Sequence, residues 1–151
     1  MTELASPPQT PKKRPEFRNI NVFRDLPRYR LPAAGWVSIL HRISGAILFV
    51  LMPFLIWMFD TSISSEISFA RFTRAFGGTG LLGLPGFFWK LVALVMLWSY
   101  LHHFIAGMRH LWMDSSHRAV SKDFGRISAQ VTLVSSLLLT LVLGAKLFGL
   151  Y

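Results

Sequence analysis

Cysteine is absent from the 151 residues. That excludes disulfides, thioether attachment of a c-type haem and iron–sulfur ligation by this chain. A bound metal must therefore take histidine or oxygen ligands. Acidic residues are scarce: seven Asp and Glu stand against sixteen Lys and Arg, for a net charge of +9. No apolar run precedes the first long hydrophobic block, so the N-terminus does not read as a secretory signal. No internal repeat is visible.

What is present is hydrophobic residue in bulk, 52% of the chain, gathered into three long blocks. Blocks of this length are the pattern of membrane helices rather than of a soluble core, since about 20 apolar residues span a bilayer. The fold class expected is an all-α membrane protein with three transmembrane helices, over residues 34–59, 87–113 and 126–150. Residues 1–33 form a basic, proline-rich arm, and residues 34–151 form a transmembrane anchor domain. The first dozen residues are expected to be disordered. From Arg14 to Arg30, charge interleaves with Phe17, Ile20, Val22 and Phe23. Two readings stand for the arm: a tail lying on anionic headgroups, or a docking element for a soluble partner. Basic flanks on membrane spans are the ordinary orientation signal, so no nucleic-acid partner is expected.

Seven basic residues precede the first span, namely Lys12, Lys13, Arg14, Arg18, Arg24, Arg28 and Arg30. Arg118, Lys122 and Arg126 flank the second connector, whereas the first connector has only Arg71 and Arg74. The positive-inside rule then places the N-terminus in the cytoplasm and the C-terminus in the periplasm. The lack of a transit-like leader, with Glu3 near the start, points to a bacterial inner membrane. Residues 60–86 form a mixed connector. Ile67, Phe69, Phe72 and Phe76 alternate there with Glu66, Arg71 and Arg74, the pattern of a short interfacial helix. Pro53 lies inside the first span and predicts a kink.

Polar residues inside the spans are costly and mark sites. On the second helix Ser99, His103, Gly107 and His110 share one face. An imidazole with a glycine one turn later suits a flat, bulky cofactor: the nitrogen ligates, and the missing side chain leaves room for a ring. His102, about 100° away, is expected to face another helix or the lipid boundary. On the first helix Ser38, His41, Arg42 and Gly45 share a face. His41 lies about 10 Å, and His103 about 15 Å, from the inner ends of their helices. The similar depth predicts one shared site. Ser99 is a candidate acceptor for the second nitrogen of His103. Arg109 is open to three readings: a cofactor carboxylate, Asp114 or a lipid phosphate. Asp114 reads as a helix cap or an ion-pair partner. The small and hydroxyl residues of the third helix, Ser128, Thr132, Ser136, Thr140 and Gly144, read as a helix-contact stripe.

Two motifs in order, Ser38-Ile-Leu-His-Arg-Ile-Ser-Gly45 and His103-x-x-x-Gly-x-Arg-His-Leu-x-x-Asp114, resemble the cytochrome b556 family of succinate dehydrogenase membrane anchors. The Arg14-Pro15 pair and the three-helix layout extend the resemblance over nearly all of the chain past Arg14. It implies a haem b shared with a second small anchor subunit, and tethering of a flavoprotein and an iron–sulfur subunit. Succinate would be oxidised at the flavin on another subunit, with ubiquinone reduced at the membrane's inner edge. By the motifs, His103 corresponds to the axial ligand of the haem iron, and Ser38 and Arg42 to quinone-binding residues. His41, Arg42, Gly107 and His110 would line or contact the haem. Three other readings stand beside this one: a fumarate-reductase-type anchor, a structural anchor without haem, and a single haem ligated by both His41 and His103 of this chain.

Overall fold

The computed structural model describes residues 19, 21–25, 28–78, 80–116, 119 and 121–151. The expected disorder of the first dozen residues, the Arg14-Pro15 pair, His117 and Arg118 fall outside them. Contacts divide the chain into Met1–Arg30 and Leu31–Tyr151. In the first unit, α1 spans Val22–Asp25. The Asn21 side-chain oxygen accepts from the amides of Phe23 and Arg24, and the Asn21 amide donates to the Asp25 carboxylate at 2.9 Å. That reciprocal cap is what holds so short a helix.

The second unit is helical throughout, with one isolated bridge, Leu81 to Leu84, and no strand among the described residues. Its helices are α2 (Ala33–Val50), α3 (Met52–Ile63), α4 (Glu66–Phe76), α5 (Gly86–Ser115) and α6 (Lys122–Leu147). Three of them, α2, α5 and α6, are long and apolar enough to cross a membrane. The first expected span is divided in two. Pro53 has no amide to give the Phe49 carbonyl and its ring crowds that carbonyl, so the helix breaks at Leu51, two residues earlier, with φ −85° and ψ 2°. Hydrogen bonds from Leu51 to Ile47 and from Leu55 to Leu51 carry the chain across the break. At 1.5 Å per residue α2 alone is about 27 Å long, just under a hydrocarbon core of about 30 Å.

The connector forms α4, opened by a capping box in which Ser65 and Ser68 satisfy each other's amides. A Cβ on Gly86 would collide with the Gly77 carbonyl, so only glycine permits the end of α4 to lie against the start of α5. The third span begins at Lys122 rather than 126 because the Ser121 hydroxyl caps it, accepting from the Phe124 amide. It stops at Leu147 because Gly149 adopts φ 75°. The Gly149 and Leu150 amides then turn back to the carbonyls of Lys146 and Ala145, a glycine-terminated helix end.

The three spanning helices pack against one another pairwise. Val37, Ala106 and Ala129, one from each, are fully buried where they meet. The buried stripe on α6 is Ala129, Thr132, Ser136, Thr140 and Gly144. Its threonines donate to carbonyls four residues back, so their hydroxyls are satisfied within the helix. A Cβ on Gly144 would sit 2.7 Å from the Leu94 side chain, which sets how closely α5 and α6 approach.

Candidate functional site

The α2–α5 seam gathers three imidazoles. The rings of His41 and His103 stack with centroids 4.1 Å apart and planes 13° from parallel. His110, two turns beyond His103 on α5, tilts against His41 at 5.2 Å. The residues that depth counting assigned to one site are therefore in contact.

The orientation of His103 is determined by α2. Its Nδ1 lies 3.0 Å from the His41 carbonyl oxygen, which can only accept, so Nδ1 carries the proton. The buried Ser44 hydroxyl donates to the same carbonyl at 2.9 Å and lies 3.4 Å from Nδ1. In the neutral ring the opposite nitrogen, Nε2, then holds the lone pair, the form in which an imidazole ligates a metal. Ser99 does not take the expected part: its hydroxyl is fully buried and has no partner. A carbonyl from the neighbouring helix replaces it, because Gly45 lets the imidazole lie directly on α2. A Cβ there would stand 2.9 Å from Cε1 of His103.

Gly107 lies on the same seam. A Cβ at Gly107 would meet Nε2 of His41 at 3.6 Å, so the glycine faces the His41 ring. That Nε2 is buried and without a hydrogen-bond partner. Buried polar atoms are nearly always paired, so an unpaired one beside two other imidazoles is a place where a ligand's polar group would be held. Ser38 is half-buried on α2, and Arg42 is exposed there.

The α5–α6 seam is polar as well, and there too one imidazole nitrogen, His102 Nε2, is buried without a hydrogen-bond partner. His102 is 1% exposed and points at α6, where its Nδ1 lies 3.1 Å from the Ser136 hydroxyl. That hydroxyl donates to the Leu133 carbonyl, so His102 donates to it. Its ring stacks on Trp98 at 5.6 Å. Arg109 also turns to α6. It donates from Nε to Ser128 at 2.9 Å and from Nη2 to the Gly125 carbonyl at 3.1 Å. Six residues from His103, it stands about 120° round the helix from the imidazole cluster. Of its three readings, the one toward a cofactor beside His103 therefore loses its geometry. Asp114 is exposed at the end of α5. Ser44 and Ser136 were visible in sequence only as small polar residues among several, with nothing to mark which histidine each would meet.

A polytopic helical protein with an imidazole cluster between two spanning helices is the class these features define. The family described as succinate dehydrogenase/fumarate reductase transmembrane subunit matches residues 10–143. The chain belongs to that family and is a multi-pass membrane protein, in agreement with the resemblance carried by its two motifs. It is similar to the succinate dehydrogenase cytochrome b556 subunit of Coxiella burnetii (strain RSA 493 / Nine Mile phase I), 33% identical over 127 residues. That match covers 84% of this chain and 94% of the relative.

Proposed function

We propose that this chain is the haem b-bearing membrane-anchor subunit of a succinate:ubiquinone oxidoreductase. In this reading it lies in a bacterial inner membrane with its N-terminus cytoplasmic and its C-terminus periplasmic. The observation that carries the reading is the contact between His103 Nδ1 and the His41 carbonyl, which selects the tautomer of the neutral ring. Nδ1 is committed to the His41 carbonyl, and Nε2 is left as an electron-pair donor beside a cluster of imidazoles. This donor set fits a haem with one axial ligand from this chain. It does not fit a haem ligated by both His41 and His103, since two rings stacked at 4.1 Å leave no room for a porphyrin between them. A further ligand would then come from the partner anchor.

Bound haem b would supply a one-electron store beside the quinone site. His103 would hold the iron through Nε2. His41, with its unpaired Nε2, and His110 offer ring N–H groups to the haem carboxylates, and Arg42 offers a guanidinium. Ser38 and Arg42 provide a hydroxyl and a cation for a ubiquinone carbonyl, whose oxygen gains negative charge as it is reduced. Succinate loses two electrons and two protons to become fumarate on the flavoprotein, and ubiquinone gains two of each to become ubiquinol. The iron–sulfur subunit carries the electrons between them. The polar groups of this chain stabilise the partly reduced quinone, and protons arrive from the aqueous side, because Arg42 itself stays charged.

The test is the reduced-minus-oxidised optical spectrum of the purified complex carrying His103→Ala or His41→Ala. His103→Ala is expected to abolish the b-type signal, whereas His41→Ala keeps it with an altered midpoint potential. Loss in both variants would mean that both histidines ligate and that the shared-haem reading is wrong. A wild-type complex with no b-type signal would leave only an anchor without haem.

A further inference from the structure

One buried charge remains outside the proposed haem and quinone reading. Arg109 is only 9% exposed, and both of its hydrogen-bond acceptors, a hydroxyl and a carbonyl, are uncharged. A guanidinium withdrawn from water retains a strong demand for an anion. It lines a cleft of about 490 Å³ at one end of the three spanning helices. The walls are Pro32 to Ala34 at the start of α2, Arg109 and Met113 near the end of α5, and Ser121 to Asp123, Gly125 and Arg126 at the start of α6.

The charge balance of this cleft is positive. Arg109, Lys122 and Arg126 face one carboxylate, Asp123. Two long helices, α2 and α6, also begin there, and each brings the positive end of its dipole. The first turn of α2 has no side-chain cap, because Pro32 precedes it. The end of α5 opposes this with its carbonyls, but a helix end counts for about half a charge. The sum favours an anion.

A second groove shows which anion. Beside the same guanidinium, Ile105, Met108, Trp112, Phe124, Ile127 and Val131 form a mostly apolar trough of about 410 Å³ that has Arg109, Ser128 and Thr132 in its wall. A free phosphate has no use for it; an acyl chain does. We propose that the ends of α2, α5 and α6 bind one anionic phospholipid, with its phosphate against Arg109, Lys122 and Arg126 and an acyl chain along the α5–α6 trough. The cleft lies where three membrane helices end, the depth at which phospholipid phosphates sit. Basic recesses between spanning helices recognise such headgroups, whereas a neutral zwitterion gains less. The site is separate from the histidine cluster, and its fate does not decide the haem reading.

The test is native mass spectrometry of the whole complex, stripped of lipid in neutral detergent and titrated with phosphatidylglycerol, phosphatidylcholine or inorganic phosphate. Wild type is compared with Lys122→Gln/Arg126→Gln and with Asp123→Asn. The double variant should bind phosphatidylglycerol about tenfold or more weakly, given the contribution of each basic residue near an anionic headgroup. Asp123→Asn should bind it more tightly, a gain that misfolding cannot imitate. Phosphatidylcholine and inorganic phosphate should bind poorly to all three. Equal phosphatidylglycerol binding by wild type and the double variant would overturn the proposal. So would inorganic phosphate competing on equal terms, which would make this a plain anion site. Efficient carbodiimide cross-linking of Lys122 to a carboxylate of another subunit in the lipid-replete complex would also overturn it, by showing the cleft filled by protein.

Discussion

His102 and His103 are neighbours in sequence and opposites in structure. His103 lies in the α2–α5 seam with one nitrogen held by a backbone carbonyl and the other available. His102 lies in the α5–α6 seam, bonded to Ser136 and stacked on Trp98; its Nε2 is also unpaired, but it is sealed among side chains rather than partly exposed like the His103 ring. In the proposed reading the same side chain would serve ligand binding in one seam and helix association in the other. What separates them is the surface each meets. On α2, Gly45 removes a side chain and leaves the imidazole lying on backbone. On α6, a serine hydroxyl takes the donor, and small residues draw the helices together. A buried polar side chain in a membrane is therefore not a functional residue by virtue of burial; its partners decide.

The sharpest way to break this comparison is to replace each histidine by leucine. His103→Leu should abolish the b-type optical signal of the complex. His102→Leu should leave that signal in place and lower the thermal midpoint of the complex instead. If the two variants give the same spectrum, the distinction between the seams fails. Gly45→Ala should come next in size. Its Cβ would press on the His103 ring, displacing it from the His41 carbonyl, and disturbed orientation of a metal-ligating histidine typically costs about 10- to 100-fold in metal affinity or activity. Haem content and midpoint potential would show this, whereas unchanged values would mean the notch does not orient the ligand. The smallest effect belongs to Ser136→Ala. Interhelical hydrogen bonds in membranes average about 0.6 kcal/mol, so a slight loss of stability is expected, with an unchanged haem spectrum.

Much of the frame was legible in the chain. Hydrophobic run length marked the three spans, and the helical period placed His103 and His102 on different faces. Depth counting paired His41 with His103 across some sixty residues of sequence separation, as the 62-residue step of their hydrogen bond shows. Pro53 announced a break, although crowding of the carbonyl four residues earlier moved it to Leu51. The start of α6 lies ahead of its apolar block because Ser121, one of several polar residues in the loop, caps it.

The parts that were not legible have a common cause. Ser99 was one turn from His103 and had a hydroxyl, yet the acceptor is the His41 carbonyl, an atom that every residue carries and that no residue letter distinguishes. Gly107 marked a place free of side chain on α5, but only the tertiary structure brings the His41 ring beside it. Arg109 allowed several partners until α6 supplied Ser128 and the Gly125 carbonyl. Sequence by itself determined the class of protein, the number of spans and which residues could carry chemistry, because run length and helical period are local properties. Tertiary structure alone decided the protonated nitrogen of His103 and the separation of the two seams. Those depend on backbone atoms and close approaches contributed by another helix.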